Sequence, residues 1–165
     1  MTGGLPTCGL CFVFSWFPRH IYGLQANFTK KRHELANKIK NKGFKFPSII
    51  SPKAVVNNSV MIEEGVQVFD GVVVNSDTTI GDFTILNTNS TIEHDCKIGK
   101  YCHVATGATL SGGVEIGDFT MIGANAVVVQ YKLISDNCVV GAGGVVISDL
   151  KEGGTYVGNP VRKIS

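Results

Sequence analysis

No proline stands between Lys53 and Asn159. A long, uninterrupted ladder of backbone hydrogen bonds requires that absence. Charge is also scarce, with 17% Asp, Glu, Lys and Arg, and aromatics make up only 8%. No run of eighteen apolar residues occurs, so no membrane-spanning helix is expected. The five cysteines are an odd number without framework spacing. They therefore predict small core residues of a reduced protein and no disulfide lattice. Cys8 and Cys11 form a C-x-x-C, but neither a thioredoxin-like unit nor a second ligand pair accompanies it, so no metal site is expected there. The stretch "GLCFVFSWF" lacks the charged lead and the small-x-small cleavage site of a secretion signal, which points to the cytoplasm.

The formal net charge of +2 hides an asymmetry. Residues 1–45 carry eight Lys/Arg against one acid, and residues 46–165 carry seven against twelve. The basic run "KKRHELANKIKNKGFK" has no interleaved aromatics and matches no nucleic-acid motif. It predicts the solvated face of a helix, with no nucleic-acid partner.

What the chain does have is a clock of six. From Ile50, every sixth residue to Val146 is aliphatic, seventeen in succession. Four residues after the aliphatic runs a second column of small or β-branched side chains: Thr78, Thr84, Ser90, Cys96, Cys102, Ala108, Val114, Thr120 and Ala126. The residue just after the aliphatic is often glycine, as at Gly81, Gly99, Gly117, Gly123 and Gly141, which is expected to ease the turns. Six suits neither a helix nor a simple alternation. It suits a very short strand followed by a turn, repeated so that coils stack aliphatic on aliphatic. Burying each aliphatic contributes about 1.5–3 kcal/mol before entropy is subtracted.

This pattern resembles the left-handed parallel β-helix of the hexapeptide-repeat acyltransferases. The resemblance implies an all-β, single-stranded, triangular prism with three hexads per coil. Its left hand comes from the resemblance alone, because parallel crossovers are generally right-handed. At eighteen residues per coil, residues 50–146 make a little over five coils, roughly 25 Å tall.

Two of the four histidines fall in "IEHDCKIGKYCHV", residues 92–104. With eighteen residues per coil, His94 stacks on Gly112, near a corner where side chains point outward. His103 precedes Val104 and also lies outside the core. On the residues alone, Glu93, His94 and Asp95 also fit a solvated polar corner.

The longer stretch "IEHDCKIGKYCHVATGATLSGG" resembles the active-site segment of the sialic acid O-acetyltransferase and UDP-4-amino-sugar N-acetyltransferase family. That resemblance implies His94 as general base, Asp95 as the carboxylate that orients it, His103 as a contact of acetyl-CoA near the thioester, and Gly112 as the N–H donor to the developing oxyanion. Each role suits its chemistry, since acetyl transfer needs an acceptor freed of its proton and a donor aimed at the thioester oxygen. Ala124 and Ala142 stack with Thr106, and the family implies that acetyl-CoA, the co-substrate, runs along such a small-residue edge between prisms of a homotrimer. The segment "YVGNPVRKI" is similar to the family's terminal segment near the CoA nucleotide, with Val161 where alanine is usual. No metal and no membrane partner are implied.

The expected organisation is an atypical segment 1–24, a remnant helix and strand of an α/β nucleotide-sugar domain at 25–48, the β-helix at 49–149 and a tail at 150–165. In the helix, Asn27 or Thr29 caps the start, Leu35 and Ile39 share a face, and Gly43 ends it. A strand is expected at residues 44–46. Residues 1–24 show no strand–glycine–helix unit, which predicts poor nucleotide-sugar affinity. The leading functional expectation is an acetyl-CoA-dependent acetyltransferase acting on an amino or hydroxyl group of a sugar or nucleotide sugar. The alternatives are an impaired trimer serving as scaffold, and a γ-type carbonic anhydrase on the same fold. The last needs three zinc-binding histidines, where the repeat region holds only His94 and His103.

Overall fold

The computed structural model describes residues 29–165. Segment 1–24, with Cys8 and Cys11, and the cap position Asn27 lie outside the described residues. The described residues open with helix α1 (Thr29–Lys40) and then climb into a left-handed parallel β-helix of about six coils. Lys38 and Lys40 sit in the last turn of α1, where cations complement the helix dipole. Gly43 takes φ +85° just beyond, as a helix-ending glycine does.

Three ribbons of two-residue strands form the three faces of the prism. The first face stacks β1 (Ile49–Ile50), β4 (Gln67–Val68), β7 (Ile85–Leu86), β10 (His103–Val104), β13 (Met121–Ile122) and β16 (Cys138–Val140). It ends in β18 (Gly154–Gly158) and the antiparallel β19 (Val161–Lys163). The second face stacks β2 (Val55–Val56), β5 (Val73–Val74), β8 (Thr91–Ile92), β11 (Thr109–Leu110), β14 (Val127–Val128) and β17 (Val145–Val146). The third stacks β3 (Met61–Ile62), β6 (Thr79–Ile80), β9 (Lys97–Ile98), β12 (Glu115–Ile116) and β15 (Leu133–Ile134). Register advances by one coil of eighteen, as in Val74↔Ile92 and Leu110↔Val128.

Every aliphatic of the six-residue clock from Val68 to Val146 is buried. Ile50, in the first coil, keeps 45% of its surface because no described coil covers it. The small-residue column is buried beside the aliphatics, and its threonine hydroxyls hydrogen-bond to the backbone. Thr84 Oγ1 accepts from Cys102 N at 3.0 Å and donates to Gly99 O at 2.8 Å. Cys96, Cys102 and Cys138 are free and buried, and burial pushes the Cys102 thiol up to about 12. These are core thiols, not thiolates.

Two expectations need correction. The glycines after the aliphatics are not there for turn freedom, since none has positive φ. They admit the next coil: a Cβ on Gly99 would stand 2.8 Å from Asp118 N, and one on Gly123 would stand 2.6 Å from Ala142 N. The left-handed residue comes two positions later, at every sixth residue from Gly65 to Gly143. Glycine, Asp and Asn fill most of these positions, but Phe83, Tyr101, Phe119 and Tyr131 fill four. The strand expected at residues 44–46 does not form. Phe46 instead donates its N–H to the Glu64 carboxylate at 2.9 Å and accepts from Gly65 N.

Helix α1 buries a face that the spacing of its aliphatics does not mark. Arg32 and Ala36 are the buried pair, with Leu35 and Ile39 only half-buried. The partner of α1 explains this choice. Phe83, Tyr101 and Phe119 stack face to face along one corner, at 5.1 and 5.3 Å, and His33 meets Tyr101 and Phe119 edge-on. Arg32 Nη2 donates to Phe83 O at 2.6 Å, and Lys40 sits over the Phe83 ring and pairs with Glu64 at 2.6 Å. The helix therefore grips an aromatic column.

The ladder ends by losing two residues. Leu150 bridges Ile134 and Tyr156 pairs with Val140, sixteen residues later instead of eighteen. The clock thus stops at Val146, and the hairpin of β18 and β19 closes the first face.

Candidate active site

His94 and Asp95 occupy the corner between the second and third faces, directly after β8. Asp95 is one of the left-handed corner residues, with φ 60°. That turn folds its carboxylate back, and His94 Nδ1–H donates to Asp95 Oδ2 at 2.8 Å. The proton is thereby held on Nδ1, which leaves the Nε2 lone pair facing outward. Both side chains are open to solvent, His94 at 51% and Asp95 at 64%.

One coil on, the same corner holds Gly112 and Gly113. The His94 ring lies against Gly112, where a Cβ would stand 2.7 Å from Nε2 and Cε1. Gly113 N donates to His94 O at 2.8 Å, and Tyr131 N donates to Gly112 O at 3.0 Å. Among the described residues, the Gly112 N–H itself has no hydrogen-bond partner. An exposed imidazole and the unpaired N–H of a buried glycine therefore share one corner. Glu93 points elsewhere, accepting from Asn75 Nδ2 at 2.7 Å.

His103 stands apart from this corner. It opens β10 on the first face and is half-buried. Its Nε2 lies 3.3 Å from Asn87 Nδ2, and its Nδ1 is buried without a partner. Burial, reinforced by the nearby Arg32, lowers its pKa to about 4. Ala124 and Ala142 lie at yet another corner, between the first and second faces, where Ala142 is exposed and Ala124 half-buried. One prism therefore brings His94, Asp95 and Gly112 together, but not His103, Ala124 or Ala142.

Asn87 is the residue that inspection of the motifs missed. It is sixteen residues before His103, a diagonal neighbour on the adjacent coil, and a search of the vertical stack alone passes it by. A concavity of about 610 Å³ lies on the third face, lined by Lys97, Gly99, Glu115, Leu133, Ser135 and Gly153. It includes none of the residues singled out above. Among the described residues, no group of three or more His, Cys, Asp or Glu is placed to hold a metal ion.

Two overlapping blocks, residues 77–112 and 95–130, match the family model described as bacterial transferase hexapeptide (six repeats). The structure of PerB from Caulobacter crescentus, in complex with CoA and GDP-perosamine, is 38% identical with a TM-score of 0.81, over 83% of this chain and 66% of that one. The acetyltransferase domain of PglB from Neisseria gonorrhoeae is 33% identical with a TM-score of 0.81, over 82% and 66%, and has also been solved with acetyl coenzyme A. WeeI from Acinetobacter baumannii is 32% identical with a TM-score of 0.80, over 84% and 68%. The chain spans just under two thirds of the PerB and PglB structures and just over two thirds of WeeI.

Proposed function

Because the chain belongs to the hexapeptide-repeat sugar acetyltransferases, we propose that it transfers an acetyl group from acetyl-CoA to an amino or hydroxyl group of a sugar or nucleotide sugar, with His94 as general base. The observation that carries this reading is the corner itself. Asp95 holds the proton on His94 Nδ1, Nε2 faces outward, and Gly112 beneath it keeps an unpaired N–H.

In the reaction, the acceptor gives its proton to His94 Nε2 as it attacks the thioester carbon. The carbonyl oxygen gathers charge and takes the Gly112 N–H. Asp95 steadies the imidazolium. Collapse expels the CoA thiolate, which recovers the proton. CoA in the PerB structure and acetyl coenzyme A in the PglB structure support this choice of donor. The GDP-perosamine bound to PerB supports a nucleotide-linked amino sugar as acceptor.

The separation of His94 from His103, Ala124 and Ala142 supports a homotrimer. A second copy lays the His103 face or the alanine edge beside the His94 corner, and acetyl-CoA fills the seam between them. This is an active site completed by assembly.

An acetyl-CoA turnover screen over UDP-, GDP- and CMP-linked amino sugars and free sialic acid tests the reading. Turnover is expected for at least one acceptor, and His94→Ala should lower its kcat by about 10²–10⁴. Absence of turnover throughout, with a stable trimer by light scattering, would instead leave the chain as a scaffold.

A further inference from the structure

Tyr131 stands on the same corner as His94, between the second and third faces, shortly after β14. Its φ is 55°, a conformation that bulky side chains rarely adopt. Phe83, Tyr101 and Phe119 share that conformation, but they stack on one another and are met by His33 and Lys40 of α1. Tyr131 has no such cover. It is 71% exposed, and among the described residues its ring has no aromatic partner and its hydroxyl no hydrogen bond. Packing does not account for an aromatic held in this conformation, so the reason for it lies in what the ring faces.

Tyr131 N donates to Gly112 O at 3.0 Å. The ring is laid back over Gly113, where a Cβ would stand 2.5 Å from Cδ1 and 2.6 Å from Cε1. His94 thus leans on the Gly112–Gly113 pair from the coil before, and Tyr131 from the coil after. The corner changes character across that pair. On the His94 side it is polar, with Glu93 and Asp95 beside the imidazole and Asn75, Ser76 and Asp77 one coil further back. On the Tyr131 side it carries Val129, Gln130 and the ring, and none of these three is charged. An acetyl-CoA whose carbonyl oxygen takes the Gly112 N–H has these two directions for its arm. The His94 side is where the acceptor gives up its proton, and its polar groups suit sugar hydroxyls. The Tyr131 side offers an aromatic surface to the neutral pantetheine arm, whose methylenes and paired methyl groups bury apolar area against it.

We propose that Tyr131 is a binding residue for acetyl-CoA, its ring forming the wall along which the pantetheine arm leaves the thioester. This rests on the reading that acetyl is transferred at the His94 corner. The ring meets the arm and not the nucleotide, and the acceptor lies on the far side of Gly112.

Fluorine spectra of protein labelled with 3-fluorotyrosine test this without any acceptor. The chain has four tyrosines, and Tyr131→Phe identifies the Tyr131 resonance by its loss. Acetyl-CoA should shift that resonance over the same concentrations that calorimetry gives for binding. S-acetylpantetheine, which lacks the nucleotide, should shift it too, and adenosine 3′,5′-bisphosphate should not. Tyr131→Gly should weaken acetyl-CoA binding roughly tenfold, and Tyr131→Phe should stay within about twofold of wild type. The melting temperature of Tyr131→Gly should not fall, which separates lost binding from lost structure.

A Tyr131 resonance unmoved by saturating acetyl-CoA overturns the proposal, as does unchanged affinity in Tyr131→Gly. A shift produced by the bisphosphate alone moves the ring to the nucleotide and equally defeats it. So does a resonance that shifts with protein concentration and then ignores acetyl-CoA, which would make Tyr131 a contact between copies. If wild type binds no acetyl-CoA in calorimetry, the acetyltransferase reading falls and this proposal with it. Binding with an unmoved tyrosine defeats the proposal alone.

Discussion

The ring of His94 rests on Gly112 so closely that a single methyl group there would stand 2.7 Å from Nε2 and Cε1. Gly112 lacks the positive φ of a corner glycine, so its backbone tolerates a side chain. Gly112→Ala should therefore fold normally but push the imidazole aside. Misplacing a reacting group by about 1 Å costs on the order of 10²-fold in rate. We expect kcat to fall on that scale with the melting temperature almost unchanged. Full activity in Gly112→Ala would show that the base does not work from its position against Gly112.

The four aromatics at left-handed corners should behave oppositely according to their cover. Tyr101 is 6% exposed, stacked on both sides and met by His33, whereas Tyr131 is 71% exposed. Tyr101→Ala should cost about 3 kcal/mol and expose the α1 amides to hydrogen exchange. Tyr131→Gly should be stabilising by about 1 kcal/mol, since it removes a left-handed side chain without opening a cavity. Equal losses at the two positions would refute the idea that packing sustains the strained corner. Chemical denaturation midpoints measure both.

His103 also predicts how stability responds to acid. Its folded pKa, about 4, lies below the ordinary value of 6.5, so the unfolded chain binds more protons in between. Its contribution is fully present above about pH 6.5 and is lost as pH falls towards about 4. Glu64 and Asp70, held below the usual carboxylate range by hydrogen bonds from Lys40 and Ser51, lose their contributions lower still. Between about pH 6.5 and 5 wild type should lose stability while His103→Gln stays nearly flat. Parallel curves for the two proteins would contradict a buried neutral ring.

The alanine edge can be blocked without touching the core. Ala142 is exposed and Ala124 half-buried, so Ala124→Trp and Ala142→Trp should fold with little loss of stability. If acetyl-CoA runs along that edge, each should weaken its binding by at least about tenfold in calorimetry. Unchanged binding in both variants places the groove elsewhere.

The core of this fold could be read almost wholly from Ile50 to Val146, because a period of six leaves one aliphatic column no alternative but inward. The corners could not. An aromatic at a left-handed position is unfavourable alone, and Phe83, Tyr101 and Phe119 become acceptable only through one another and through α1, contacts that sequence separation conceals. The same cause hides the buried face of α1, where Arg32 and Ala36 lie deepest. The glycines after the aliphatics were visible, but their reason was not, since close approach of one coil to the next is a property of the stack. His94 and Asp95 stood out by their neighbours in sequence. Asn87 did not, because its partner is on the adjacent coil and off the vertical.

The fold and the site count differently. Core columns recur every six residues and cannot tell one corner of the prism from another. The chemistry recurs only on a full circuit of eighteen, since His94 needs Gly112 beneath it and not a residue of the next corner. A change in length of six is therefore silent to the core yet rotates everything beyond it by a third of a turn. Length change that preserves both comes in quanta of eighteen, and the site is the stricter reader of the two.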